Sequence, residues 1–531
     1  MKIRNIILVT LASTFALTSC NDWLDVMPDN RAEVDTQEKA EKLLVSAYPE
    51  NAYITMAEMS SDNVDHFGSS PYSKRFMLQL YNWEEVTETD NEDPKQVWGA
   101  LYSAITNANQ TLVAIEEMGN TPELQPAKGE ALLCRAYSHF LLVNLFSNAY
   151  NPATASEDLG IPYMDAPETE LNPKYERGTV AEVYEKIEKD LEEGLPLIDD
   201  GMYSVPKYHF NEKAAYTFAS RFYLFYGKWD KVIECANYVL GSSPAEYLRN
   251  YTELNALPTS PPDVRGNAYN STNAKNNFLV QTAYSTLGVN FGPYSYEGLI
   301  SIGSVLCKTE LLNYAPWGTK PASGTTFRNM YKYSLGIYDA TGFQKYLWIK
   351  HPYLFEYTDP VAGIGYNRTI YTAFTGDEAL LNRAEAYVMK EDYTSALADL
   401  NLWTTNALVA SQCSPVLTLD SVKEWANGME YYKWDVPTPK KKINNPFVTV
   451  QEGSDLEAML QATLYIRRVE FLHYGMRFFD IKRHGIKIYR RQVGTALEIN
   501  KVLDSLEVND PRRALQLPKD VITAGMTPNP R

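Results

Sequence analysis

Residues 221–237 read RFYLFYGKWDKVIECAN, and residues 385–401 read EAYVMKEDYTSALADLN, at an offset of 164. Tyr223 falls on Tyr387, Trp229 on Tyr393, Ile233 on Leu397 and Asn237 on Asn401. In each copy a helical pattern ends, a two-residue turn follows (Gly227-Lys228 or Glu391-Asp392), and an aromatic residue starts a second helix. Two unrelated helical hairpins remain the plainer alternative. The alignment of aromatic, aliphatic and amide positions favours a repeat, because such units stack to bury a core that one hairpin cannot bury alone.

Working outward, the same grammar extends to neighbouring segments. Pro126 suits a first helical turn, and Leu133, Ala136, Phe140 and Val143 then form one apolar stripe with the small-x3-aromatic step Ala136…Phe140. Thr179-Val180-Ala181-Glu182 reads as a capping box that opens a helix with Val183, Ile187 and Leu191 on one face. Further helices are expected near 36–48, 95–118, 376–390 and 457–474. Residues 242–375 break this texture with Pro261-Pro262, Gly292-Pro293 and Gly363-Ile364-Gly365, and short pieces at 278–280 and 346–349 alternate like small strands. A second irregular region spans 427–456, with Lys440, Lys441 and Lys442 expected as a solvated run. The expected fold is mainly α: one domain over 20–531, a tetratricopeptide-like scaffold with long, aromatic-rich insertions. Insertions of that length in a compact fold usually carry function.

The first residues carry Lys2 and Arg4, an apolar run from Ile6 to Leu17, and Leu17-Thr18-Ser19-Cys20. This is the order of an export signal over 1–19, and the apolar run falls short of the roughly 20 residues that span a bilayer. Cys20 at its end resembles a lipobox, so a lipid anchor on that thiol is expected. The formal charge of −17 opposes nucleic acid or anionic lipid as the main ligand, since both need a basic footprint. Cys134, Cys235, Cys307 and Cys413 are far apart and show no CxxC spacing, which argues against a disulfide or zinc framework, and Cys134 and Cys235 sit in helical patterns and read as small buried hydrophobes.

The most distinctive motif is Arg467-Arg468-Val469-Glu470-Phe471…Gly475-Met476-Arg477…Asp480-Ile481-Lys482-Arg483. Arg467 and Glu470 stand three apart on a helix, as do Asp480 and Arg483, and each pair is expected to form an ion pair. Gly475 suits a helix C-cap. Dense alternating charge among Phe471, Phe478 and Phe479 reads as a structural network more readily than as a ligand site. With Cys20-Asn21-Asp22-Trp23-Leu24-Asp25, Glu130…Arg135-Ala136-Tyr137…Phe140 and Gly160-Ile161-Pro162, this segment resembles the RagB/SusD family, the surface nutrient-binding lipoproteins of Bacteroidetes. Tyr474 departs from the glutamate often found there. The resemblance implies a non-catalytic, outer-membrane lipoprotein facing the cell surface. It would capture oligosaccharide and deliver it to a SusC-like TonB-dependent β-barrel transporter.

Enzyme signatures are absent from the sequence: no HExxH, no GxSxG and no Walker A loop. No catalytic residue, metal or cofactor is therefore assigned. Asp62, Asp65 and His66 cluster, but their spacing fits neither zinc nor calcium and reads as a hydrogen-bonded loop. A sugar offers an apolar face and a belt of hydroxyls, so its site wants flat aromatics beside polar side chains. The 38 tyrosines and 9 tryptophans supply candidates. We single out Trp83, Trp98, Tyr294, Tyr296 and Trp317, although the spacing of Trp98 with Leu101, Tyr102 and Ile105 also fits helix core. The rival readings are a surface-anchored glycoside hydrolase and a helical-repeat scaffold without a small-molecule ligand.

Overall fold

The computed structural model describes residues 34–68, 73–169, 173–293, 298–318, 330–340, 343–494 and 498–531. The leader, Cys20, Tyr294 and Tyr296 lie outside the described residues. Ten helices carry the scaffold: α1 Pro94–Glu117, α2 Gln125–Phe146, α3 Val180–Gly194, α4 Glu212–Tyr226, α5 Trp229–Leu240, α6 Gly376–Met389, α7 Tyr393–Ala407, α8 Leu419–Asn427, α9 Asp455–Glu470 and α10 Met476–Arg483. Their starts follow from local chemistry. Asp93 caps α1 by accepting from the Gln96 amide, and Pro94 occupies its first turn. Thr179 and Glu182 form the expected capping box on α3.

The repeat is real at the level of the backbone. Gly227 and Glu391 occupy equivalent turn positions and are both left-handed, at φ +77° and +59°. The next amides bond in the same way: Lys228 N–H to the Tyr223 carbonyl and Asp392 N–H to the Tyr387 carbonyl, each at 2.9 Å. Glycine is required at the first turn for a further reason, since a Cβ there would meet the Phe447 ring at 2.3 Å. The hairpins α4–α5 and α6–α7 then stack through α5 against α6, while α6 also packs on α9. Helix α2 lies at the centre of the first half, buried along nearly its whole length and touching α1, α3 and α4. This order, pair upon pair, buries one continuous core.

The 242–375 insertion holds more sheet than its sequence suggests. Strands β2 (Asn277–Tyr284), β6 (Leu354–Asp359) and β7 (Ile364–Thr375) form an antiparallel sheet in the order β2-β7-β6, and β7 runs straight into α6. The strand expected at 346–349 is β5 (Phe343–Leu347), paired with β4 (Gly336–Ala340). A further sheet, not foreseen, joins β3 (Ile300–Ser301), β1 (Asp65–His66), β8 (Ile488–Val493) and β9 (Ile499–Leu506).

The arginine-rich segment is a buried charge network with two centres. In the first, Arg477 grips Asp62 at 2.7 and 2.9 Å, Arg491 grips Asp65 at 2.9 and 3.0 Å, and Glu310 receives Arg491 and Lys441 at 2.7 and 2.6 Å. In the second, Glu385 and Asp480 hold Arg467 and Arg483. The 62–66 cluster is thus an ion-paired, hydrogen-bonded segment, and no metal-binding group occurs among the described residues. Three details correct the sequence reading. Arg467 pairs with Asp480 and Glu385 rather than Glu470, whose carboxylate is taken by Tyr251 and Trp403. Gly475 is left-handed (φ +72°) but precedes α10 instead of ending α9. Lys440 and Lys441 are buried at 4% and 3% exposure, because Lys441 is drawn into the Glu310 centre.

Candidate functional site

Of the three aromatic candidates among the described residues, Trp98 is the one placed at an open cavity. Trp83 is 4% exposed, donates its indole N–H to the Ser60 carbonyl at 3.0 Å, and lies 4.0 Å beneath the Arg490 guanidinium. Trp317 is 2% exposed and packs edge-on against Tyr331 and Tyr465. Both are packing residues, with their rings covered by protein.

Trp98 sits on the first turns of α1 with its ring centroid 5.0 Å from those of Tyr102 and Phe146. It and Tyr102, one helical turn on, floor a groove of about 430 Å³. The opposite walls come from distant sequence: Pro162, Met164 and Tyr175 on one side, Val521 and Met526 on the other. Thr106, Glu168 and Lys174 add polar groups, and Tyr175 hydrogen-bonds Glu168. An apolar groove with a few convergent polar groups is the usual form of a small-molecule site.

The walls are fixed from beneath. Tyr102 donates its hydroxyl to the Pro162 carbonyl at 2.8 Å. Arg135 on α2 holds Asp190 on α3 with two bonds of 2.7 and 2.6 Å, and its other arm reaches Asn109 and the Asp165 carbonyl. Asn109 in turn donates to the Met164 carbonyl. His139 accepts the Met164 amide on Nε2 at 3.0 Å, so its proton is on Nδ1, facing the Arg135 carbonyl. Tyr163 stacks on that ring at 3.8 Å. Arg177 ties the far side, donating to the carbonyls of Gly160, Phe146 and Thr527, which brings the C-terminal segment to the groove. Burial lowers the Arg177 pKa to about 10.

Burial also drives His139 down to about 3, leaving it neutral. The unfolded chain takes up a proton near pH 6.5 that the folded chain refuses, so stability is lost as pH falls below 6.5. Each pH unit across that window costs about 1.4 kcal/mol, or about 2 kcal/mol between pH 6.5 and 5. His139→Gln lacks this proton. Its stability relative to wild type is expected to improve by about that amount between pH 7 and 5 in urea titrations; parallel pH profiles would refute the assignment.

The sequence missed Tyr102 as a groove residue, together with Tyr175 and Met526. Tyr102 carried a signal, its i,i+4 spacing from Trp98, which was read as core; Tyr175 and Met526 carried none. A family model for SusD-like proteins, described as starch-binding and associating with the outer membrane, matches residues 22–224. A SusD superfamily protein from Bacteroides thetaiotaomicron shares 20% identity and a TM-score of 0.61, over 93% of this chain and 100% of its own. The chain has the SusD-like fold. A SusD-like carbohydrate-binding protein from Bacteroides vulgatus aligns at 16% identity and TM-score 0.62, covering 92% of this chain and 96% of its own. A laminarin-binding SusD-like protein aligns at 17% and 0.53, covering 93% and 99%. Comparison with curated proteins gives no match. Helices α1–α3, nearly all of α4 and the groove residues up to Tyr175 fall inside the matched region. Among the described residues, no helix is long and apolar enough to cross a membrane.

Proposed function

We propose that this SusD-like chain binds neutral oligosaccharide in the Trp98 groove, as a non-catalytic subunit held at the outer membrane by lipid on Cys20. It would pass its ligand to a SusC-like TonB-dependent barrel. The observation that carries the binding half is the groove itself: Trp98, Tyr102 and Tyr175 offer ring surface beside Thr106, Glu168 and Lys174. The family description and the carbohydrate- and laminarin-binding neighbours support that ligand class. A glycosidase needs two carboxyl groups flanking one bond, about 5–10 Å apart. Glu168 is the one carboxylate among the groove's described lining residues, and it is engaged by Tyr175.

Calorimetry of the mature chain against starch, fructan and β-glucan oligosaccharides tests this reading. At least one is expected to bind, and Tyr175→Ala to weaken it about tenfold, or ~1.4 kcal/mol. Trp98→Ala should abolish binding, while Trp98→Phe keeps both fold and most affinity. Undiminished binding in Tyr175→Ala and Trp98→Ala would refute the groove, and ligand hydrolysis would refute the non-catalytic reading. Co-purification of the lipidated chain with the barrel tests delivery separately.

A further inference from the structure

A second cavity, of about 340 Å³, opens where α10 ends, and it shares no lining residue with the aromatic groove. Three buried cations line it; two of them, Lys482 and Arg513, are 7% and 5% exposed. Neither forms an ion pair among the described residues. Lys482 Nζ donates to the carbonyls of Asn144 and Ser147 at 2.5 and 2.7 Å. Arg513 spends its bonds on the carbonyls of Glu507, Ile481 and Ile486. An ammonium has three donors, so one Lys482 N–H is left over.

Of the other charges around the cavity, Asp510 and Arg483 are ion-paired, while Asp158 has only neutral partners. Asp158 accepts from Asn148 and Thr154 at 2.9 and 2.6 Å, and Asp510 is held by Arg512 at 2.7 Å. Arg483 is neutralised by Glu385 and Asp480. Two unpaired buried cations against one unpaired, half-buried carboxylate, Asp158, leave a net positive charge. A buried charge without a counter-charge is costly, and the cost falls when an opposite charge arrives. Burial, with Arg513 nearby, lowers the Lys482 amine to about 7, which is the strain an anion would relieve. The remaining wall suits a sugar: the half-buried Tyr150 ring, with Asn151 and the exposed Asn509 beside it. The volume suits one or two sugar rings.

We propose that this cavity is a second ligand site, taking the carboxylate group of an acidic sugar. Lys482 supplies the charge, and Asn151 and Asn509 meet ring hydroxyls. The overall negative charge does not forbid this, because screening confines distant charges to about 8 Å at physiological salt.

The test uses the mature full-length chain at pH 6, where Lys482 is charged, with glucuronate, inorganic sulfate and glucose as separate probes in calorimetry. Glucuronate is expected to bind most tightly and glucose not at all. Lys482→Met should weaken glucuronate at least tenfold and Asn509→Ala about threefold, with Trp98→Ala leaving it unchanged. That last arm separates this site from the groove, whose failure would leave it standing. Asn509 is exposed, so its variant keeps the test decisive if Lys482→Met does not fold. Absence of glucuronate binding, equal binding in Asn509→Ala and wild type, or binding of sulfate without glucuronate would each overturn the proposal.

Discussion

Asp62→Ala is expected to destabilise the fold by about 3–5 kcal/mol, the loss typical of breaking one side of a buried ion pair. Asp62 is the only carboxylate paired with Arg477 among the described residues, and it lies within 3.4 Å of Arg468 and 3.7 Å of Lys441. Without it, Glu310 and Asp65 would face four buried cations: Arg468, Arg477, Lys441 and Arg491. The pH dependence identifies the cause. Burial alone would raise the Asp62 pKa, but Arg468, Arg477 and Lys441 outweigh it and hold the carboxyl well below its ordinary value. Its contribution is therefore complete above about pH 4 and is lost as pH falls through the folded value. The gap between wild type and Asp62→Ala in denaturant midpoint should be widest at pH 7 and narrow at pH 3. An equal gap at both would mean that lost packing, not charge, sets the cost.

Asp62 also shows where the sequence was legible. A periodic signal needs only local chemistry, so the α4–α5 and α6–α7 hairpins, the Thr179 capping box and the helical starts near Pro94 and Pro126 read directly. Charge partners do not read that way. Asp62 meets residues more than 370 positions away, and Lys441 meets Glu310 across 131 positions. A lysine triplet in a loop region therefore looks solvated, while two of its three members are core. Strand β8 hid for the same reason: Arg490 and Arg491 mark it as polar, yet Arg490 is buried by stacking on Tyr81 and Trp83, and Arg491 by pairing with Asp65 and Glu310.

The site was legible by half. Trp98 sits on a helix whose register is readable, and its neighbour Tyr102 follows at i,i+4. The walls are not readable, because Pro162, Tyr175 and Met526 reach the same place only through the Arg135, His139 and Arg177 contacts. Trp83 and Trp317 had equally inviting loop contexts. What separates them from Trp98 is coverage by Arg490 in one case and by Tyr331 and Tyr465 in the other, and a linear pattern does not encode coverage.

If those supports position the groove, breaking one should cost stability and binding together. Asp190→Ala leaves the Arg135 guanidinium buried at 8% exposure without its counter-charge and takes the hydroxyl partner from Tyr163. A loss of about 3–5 kcal/mol is expected, with at least a tenfold loss of oligosaccharide affinity. The paired replacement Arg135→Met with Asp190→Leu removes both charges, and an apolar pair of similar size often restores stability. It should recover most of the denaturant midpoint. Binding should stay weak, because Asn109 and the Asp165 carbonyl have still lost the guanidinium that aligns the 160–165 wall with Trp98. Recovery of both quantities would show that the ion pair serves the fold alone. Recovery of stability without affinity would show that the scaffold's charge pairs set the geometry at which the rings meet a sugar.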